Sequence, residues 1–479
     1  MKKAHFVGIC GVGMSATAIL LKEKGWSITG SDAGCYEPIK GYLTTHGIPF
    51  ADSFSTSNIP SDVDLVVGGG SAKLADNEEI VYAREHNIPV TTFAELLADI
   101  SRDQETILVV GSYGKSTMSS LLARCLAENG KDPSWFTGAP PLGHSPATGE
   151  AVGGGLASHL GKGRFFVVEA DEYPTSGIDK RSKFLHFRAD NIMLIAGEHD
   201  HVNVFPTHES YLAPFKELLS HVPENGTITA CINAGGVAEL VEPHQEKTIT
   251  YGLHAHGNPV WSARDITRGE MTTAVITKNS ENICTITTSL LGDHNIENIV
   301  GAAAFLIGRN ILTPEEFVRG VAAFKGVARR LEKKTERSQV PVYDGYGSSV
   351  DKARAAIAAI RAHFPDRRLV IVFEPHTFSW RNRAMLHWYD NIFTDAAITL
   401  IYHPATIGVG NHDQASHEEI VERVRASGAQ AVPINTPEEC LSRLEEIVEP
   451  NDIVLMLTSG PMDGLVESIP KMIEEKFPF

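Results

Sequence analysis

Apolar residues along this chain gather into short runs that end at glycine, and stretches with helical spacing follow them. His5–Gly8 leads into helical material from Met14 to Lys24, and Thr106–Gly111 leads into a helix over Lys115–Glu128. Arg368–Phe373 runs into Glu374-Pro375-His376 in the same manner. Short apolar runs closed by glycine read as buried strands, and the longer 3.6-period stretches as helices packed against them. Strand, turn and helix in alternation predict an α/β fold with largely parallel sheets.

Up to about Ser101, further strands are expected at Ser27–Gly30, Leu65–Gly68 and Pro89–Thr91, giving a small doubly wound domain. The middle carries strands at Phe165–Glu169 and Asn191–Ile195. A Thr-rich stretch from Trp261 to Leu291 alternates in the way that predicts antiparallel strands. At 479 residues the chain exceeds what one core organises, so two or three domains are expected, the last beginning just past Arg330.

Composition narrows the class. With 42% hydrophobic and 21% charged residues the chain reads as soluble and globular, and no run approaches the ~20 apolar residues of a membrane span. Met1-Lys2-Lys3 is followed by a strand and a glycine turn rather than a cleavable apolar segment, so a cytoplasmic protein is expected. The cysteines (Cys10, Cys35, Cys125, Cys231, Cys284, Cys440) are scattered, which predicts neither a zinc site nor a disulfide framework. A net charge of −17 speaks against general nucleic-acid binding, although a glycine turn can still hold a phosphate locally.

Six motifs carry candidate chemistry. In Gly11-Val-Gly13-Met14-Ser15-Ala16 a strand turns into a helix, so backbone N–H groups can face a diphosphate, with Asp32 at the end of the next strand as the ribose-binding acid. Alone, this pattern would suggest NAD and an oxidoreductase. Gly111-Ser-Tyr-Gly114-Lys115-Ser116-Thr117 is a shortened phosphate loop: Lys115 would neutralise phosphate charge and the Ser116 or Thr117 hydroxyl would ligate Mg²⁺. Glu169-Ala-Asp171-Glu172 closes an apolar strand with three carboxylates, which suits Mg²⁺. Glu198-His-Asp200-His201 offers carboxylate and imidazole for a second metal. Gly292-Asp-His294-Asn295-Ile-Glu-Asn298 sets two amides three residues apart on one helix face, where an amide can read adenine. Arg329-Arg330 could reach nucleotide phosphates.

In this order the motifs resemble the Mur ligase family, the amide-forming enzymes of peptidoglycan, across all three segments. The resemblance implies a Rossmann-like domain over 1–102 for a UDP-linked substrate. A central P-loop ATPase-type mixed sheet over 103–329 would hold ATP, and a Rossmann-like domain over 330–479 the incoming amine. It implies ATP and Mg²⁺ as cofactors, with Lys115, Glu169 and His201 at the chemistry and Ser116, Glu169 and His201 toward metal. Gly111, Gly114, Lys115, Ser116, Thr117, His294, Asn295, Arg329 and Arg330 would contact nucleotide. Gly11, Gly13, Met14, Ser15, Asp32, Ser71, Arg181, Asp344, Tyr346, His376 and Arg381 would contact the other substrates.

Met14-Ser15, Ser71-Ala72 with Asp76-Asn77, and Gly326-Val-Ala-Arg329-Arg330 resemble the branch that takes UDP-N-acetylmuramate itself. Within that branch, Glu169-Ala-Asp-Glu-Tyr173 and Asp179-Lys-Arg-Ser-Lys-Phe184 look more like the recycling ligases, which add the murein peptide L-alanyl-γ-D-glutamyl-meso-diaminopimelate. The ligases that add L-alanine rank second, and a nucleotide-binding relative without ligase chemistry third. Only small-molecule substrates are implied, for a monomer or homodimer. Lys115→Ala is expected to abolish turnover and leave the fold intact.

Several positions depart from the family pattern. Ala196 and Asn203 stand near His201 in place of Asn and Asp, Ser348-Ser349 replaces two histidines, and Trp380 is inserted before Arg381. Lys216 lies fifteen residues past His201, where other members carry a carbamylated lysine.

Overall fold

The computed structural model describes residues 1–36, 39–69, 76–139, 157–176, 179–201, 204–253, 257–404 and 413–479. Three sheets organise them. The first is parallel, with spatial order Phe50–Ala51, Ser27–Ser31, Lys3–Val7, Leu65–Gly68, Val90–Thr92. Its central strand places Val7 beside Ser31 and Gly68, and the chain leaves through Gly8, whose φ of 81° suits a residue without Cβ. The helix Val12–Glu23 then opens on the Gly11 backbone.

The second sheet has ten strands. Its core runs Thr227–Cys231, Asn191–Leu194, Glu105–Val110, Phe165–Glu169, all parallel. Burial on both faces explains why these strands read as unbroken apolar runs. At the far edge lie Trp261–Thr267, Thr272–Lys278 and Glu281–Thr288. Asn279 and Ser280 join the last two, both at positive φ (48° and 67°). A two-residue link of that kind is a primed hairpin turn and makes the pair antiparallel, as the alternation predicts.

The third sheet runs Glu332–Lys333, Val342–Asp344, Ile453–Leu457, Leu369–Phe373, Ile398–Tyr402, Ala431–Ile434, antiparallel only at its first pair. The fold is therefore α/β in three parts, with a mixed sheet in the central part and largely parallel sheets in the first and last.

The first two sheets cluster into one compact unit, residues 1–266, 273–288 and 294–327. A continuous apolar core links them, and Ser158 donates from the central sheet to the Ala16 carbonyl at 3.0 Å while Leu160 N donates to Glu23 Oε2 at 2.9 Å. The second unit comprises Ala328–Phe479 together with Thr267–Thr272 and Ser289–Asp293.

One expectation fails here. Cys10 and Cys35 form a disulfide. They are separated by 25 residues, a spacing that carries no signal. Parallel pairing of Lys3–Val7 with Ser27–Ser31 brings the two following turns side by side, with Cα atoms 5.3 Å apart.

Candidate active site

The phosphate loop takes its shape from two glycines. Gly111 has φ 141°, and a Cβ there would lie 2.7 Å from Ala196 N and 2.8 Å from its carbonyl oxygen. Gly114, at φ 80°, is the N-cap of the helix Lys115–Glu128 and admits the left-handed turn that starts it. Its Cβ position would lie 3.8 Å from the Asn298 side chain, so the helix Asp293–Leu306 approaches the loop at Asn298. Asn295 is also buried on that helix, whereas His294 is exposed. The sequence assigns His294 and Asn295 to the nucleotide and gives Asn298, in the same motif, no role. Its place beside Gly114 singles it out.

Lys115 Nζ donates to the Gly111 carbonyl and to Glu172 Oε2, each at 2.6 Å. Ser116 Oγ donates to Glu169 Oε1 at 3.0 Å, and Gly138 N donates to the other oxygen of Glu169. A Cβ on Gly138 would fall within 2.8 Å of Glu169 and Ser116, so only glycine leaves this cradle open. His201, at φ 55°, is held by the Tyr173 hydroxyl, 2.9 Å from Nδ1, and its Nε2 lies 3.1 Å from Glu172 Oε1. Lys115, Ser116, Glu169 and His201 are thus brought together as the motifs anticipate, with Thr117 on the first helical turn. Glu172 lies at the junction of the group and is fully buried. The sequence gives it no place apart from its acidic neighbours, because a strand-end cluster does not say which carboxylate turns inward.

These residues fit a nucleotide with Mg²⁺. The loop offers curled backbone and an ammonium for phosphate, and the Ser116 hydroxyl and the Glu169 carboxylate are hard oxygen donors. The Glu198-His-Asp-His motif divides. Glu198 turns to the loop, accepting from the Tyr113 hydroxyl at 2.9 Å and from Gly235 N at 2.8 Å. Burial and the Glu198 charge together raise the Tyr113 pKa. Lys216 is half exposed and paired with Glu239 at 2.7 Å. Asn203 lies outside the described residues.

At the first glycine turn, Asp32 accepts from Cys10 N (2.9 Å) and Gly34 N (3.2 Å). Met14 and Ser15 are buried, and Ser15 Oγ donates to the Val12 carbonyl. Gly13 leaves room for Phe93, whose ring would be 3.0 Å from a Cβ. Gly11 has φ −65° and needs no left-handed freedom. Ser71 lies outside the described residues. Arg181 is drawn into its own loop by Asp179, with Nη2–Oδ2 at 2.7 Å, and this holds the Asp179 carboxyl down at about 2.

In the second unit Arg329 donates to the carbonyls of Thr458, Ser459 and Gly460 and lies 3.4 Å from Asp344. Burial raises the Asp344 pKa against that cation. Arg329, exposed Arg330 and Lys352 all face the Tyr346 ring, at 5.0–5.7 Å from its centroid. His376 packs on Gly460 and lies 3.3 Å from Glu374. Arg381 is buried, its Nε donating to Thr377 O at 3.4 Å. Trp380 braces the Ser348-Ser349 loop: its indole N–H donates to Gly347 O at 2.8 Å, and Thr377 donates to Ser348 O at 3.1 Å.

Three family models together match most of the chain: the Mur ligase family catalytic domain over residues 3–105, the Mur ligase middle domain over 109–306, and the Mur ligase glutamate ligase domain over 329–460. The chain belongs to the Mur ligase family. It is therefore an ATP-dependent ligase that forms amide bonds and uses Mg²⁺, which removes the oxidoreductase alternative.

Among relatives, the UDP-N-acetylmuramate–L-alanine ligase of Desulfosudis oleivorans is 32% identical, with 97% of each chain covered. The ligase of the same name from Geobacter sulfurreducens is 29% identical over 99% of this chain and 98% of its own. Among solved structures, a UDP-N-acetylmuramate–alanine ligase from Thermotoga maritima superposes with a TM-score of 0.76 at 20% identity, covering 98% of this chain and 100% of its own. A murein peptide ligase from Psychrobacter arcticus gives 0.64 at 22%, with 99% of each chain covered. The relatives at 32% and 29% identity carry the L-alanine name, so placing the murein-peptide ligases first is not supported. No helix among the described residues is long and apolar enough to cross a membrane.

Proposed function

We propose that this Mur ligase joins the carboxylate of UDP-N-acetylmuramate to the amine of L-alanine. The cluster of Lys115, Ser116, Glu169 and His201 around one glycine loop carries the ligase reading. The full-length relatives at 32% and 29% identity support L-alanine as acceptor.

A carboxylate and an amine do not condense in neutral water, and ATP with Mg²⁺ supplies the phosphoryl group that makes the carboxylate reactive. Lys115 neutralises phosphate charge, and Ser116 with Glu169 offers oxygens to the cation. His201, oriented by Tyr173, is the candidate for a second metal. Gly11, Gly13, Met14, Ser15 and Asp32 receive the UDP end, and Asn298 joins His294 and Asn295 at the base. The division into 1–102 for UDP substrate, 103–329 for ATP and 330–479 for acceptor belongs to this proposal, with Asp344, Tyr346, His376 and Arg381 near the acceptor. We place the enzyme in the cytoplasm, where nucleotide substrates are made.

A second reading, with a murein peptide as acceptor, keeps the support of Glu169–Tyr173 and Asp179–Phe184. Phosphate release from ATP and UDP-N-acetylmuramate separates the two. A signal that depends on L-alanine is expected. One that depends on the peptide and ignores L-alanine would replace the first reading with the second.

A further inference from the structure

Glu172, just past the strand Phe165–Glu169, is a fully buried carboxylate set against the phosphate loop that the proposed mechanism does not use. Its Oε2 holds the Lys115 ammonium at 2.6 Å. Its Oε1 is buried and accepts no hydrogen bond; His201 Nε2 is 3.1 Å away but not aligned to donate. Glu169 differs, since its oxygens accept from Ser116 Oγ and Gly138 N.

The consequence lies in the electrostatics of polyphosphate entry. Phosphate oxygens seated on this loop compete with Glu172 for the Lys115 ammonium. Once Lys115 turns to phosphate, Glu172 remains as a buried carboxylate without its cation, beside several further negative charges. Desolvation and like-charge repulsion both oppose that state. A divalent cation near Glu172 relieves both at once.

We propose that Glu172 makes polyphosphate binding conditional on a divalent cation, acting as a positioning residue that holds Lys115 until the cation arrives. This rests on the reading of the Lys115 loop as the ATP site.

The test is calorimetric titration of the full chain with ATP in Mg²⁺ and in EDTA. Wild type is expected to bind at least ~10-fold more weakly in EDTA, while AMP, which lacks the outer phosphates, shows no such ratio. Glu172→Gln is expected to bind metal-free ATP more tightly and bring the ratio toward one. Glu172→Asp keeps the charge and should keep the ratio. A purely structural role would weaken both forms alike in Glu172→Gln, which overturns the proposal. Equal wild-type binding in Mg²⁺ and EDTA also overturns it, as does collapse of the ratio in Glu172→Asp. If Glu172→Gln does not fold, the wild-type and Glu172→Asp titrations decide alone. Wild type that binds ATP in neither buffer would sink the nucleotide-site reading itself.

Discussion

Removing the Lys115 side chain takes the ammonium from the phosphate loop and also strips buried Glu172 of its partner. Turnover of Lys115→Ala is expected to fall at least ~100-fold, on the scale of a lost transition-state donor. The sequence predicts an intact fold for this variant, but breaking a buried pair from one side costs about 3–5 kcal/mol. The thermal midpoint should therefore fall as well, and adding Glu172→Gln should restore the midpoint without restoring turnover. An unchanged midpoint in the single variant would show that the pair adds no stability. His363 gives a second prediction. Its Nε2 accepts from Gly292 N at 2.8 Å and its Nδ1 lies 3.0 Å from Gly269 O, an arrangement that suits only the neutral ring. Burial lowers its pKa, opposed by the Gly269 bond, with Arg268 lowering it and Asp293 raising it nearby. The stability it contributes is present above the unfolded histidine pKa of about 6.5 and is lost as pH falls through the lower folded value. The unfolding midpoint should drop between about pH 7.5 and 5.5, and less so in His363→Gln. Equal drops in both proteins would acquit His363. Lys115, Ser116 and Glu169 could be read from the sequence because one strand–turn–helix motif or strand end fixes each. The roles of Glu172 and Asn298 depend on which side chain turns inward, and that is decided by packing partners far away in sequence.

Strands and helices emerged within a residue or two of the apolar runs that predict them. Glu105–Val110 answers to Thr106–Gly111, and Leu65–Gly68 is matched. The helix expected from Met14 begins at Val12 because the Gly11 backbone, which no polar side chain marks, is its cap. The disulfide belongs to this scale, since it ties the turn after one strand to the loop after its neighbour. In denaturant without reductant, thiol titration should find four free cysteines, Cys125, Cys231, Cys284 and Cys440, and all six after reduction. Six without reductant would exclude the bridge. Closing a loop of this length is worth about 3 kcal/mol in the chain-entropy account, so reduction should lower the unfolding midpoint.

Over the whole molecule, three sheets and their α/β class could be read from alternating runs and turns. The partition of the chain was less visible. Thr267–Thr272 and Ser289–Asp293 belong with the C-terminal residues although they interrupt the central stretch, and no composition shift marks them. The tryptophans follow the same partition: Trp26, Trp135 and Trp261 lie in the first unit, Trp380 and Trp388 in the second. Trp380 is sealed among Phe373, Tyr389 and Trp388, and its one polar atom is bonded to the loop that carries Ser348 and Ser349. The inserted residue is thus a built-in fluorophore wired to the loop proposed to face the acceptor. With Trp388 replaced by phenylalanine, a change of emission on adding L-alanine that disappears when Trp380 is replaced too would report that loop's occupancy in real time, without a label and without turnover.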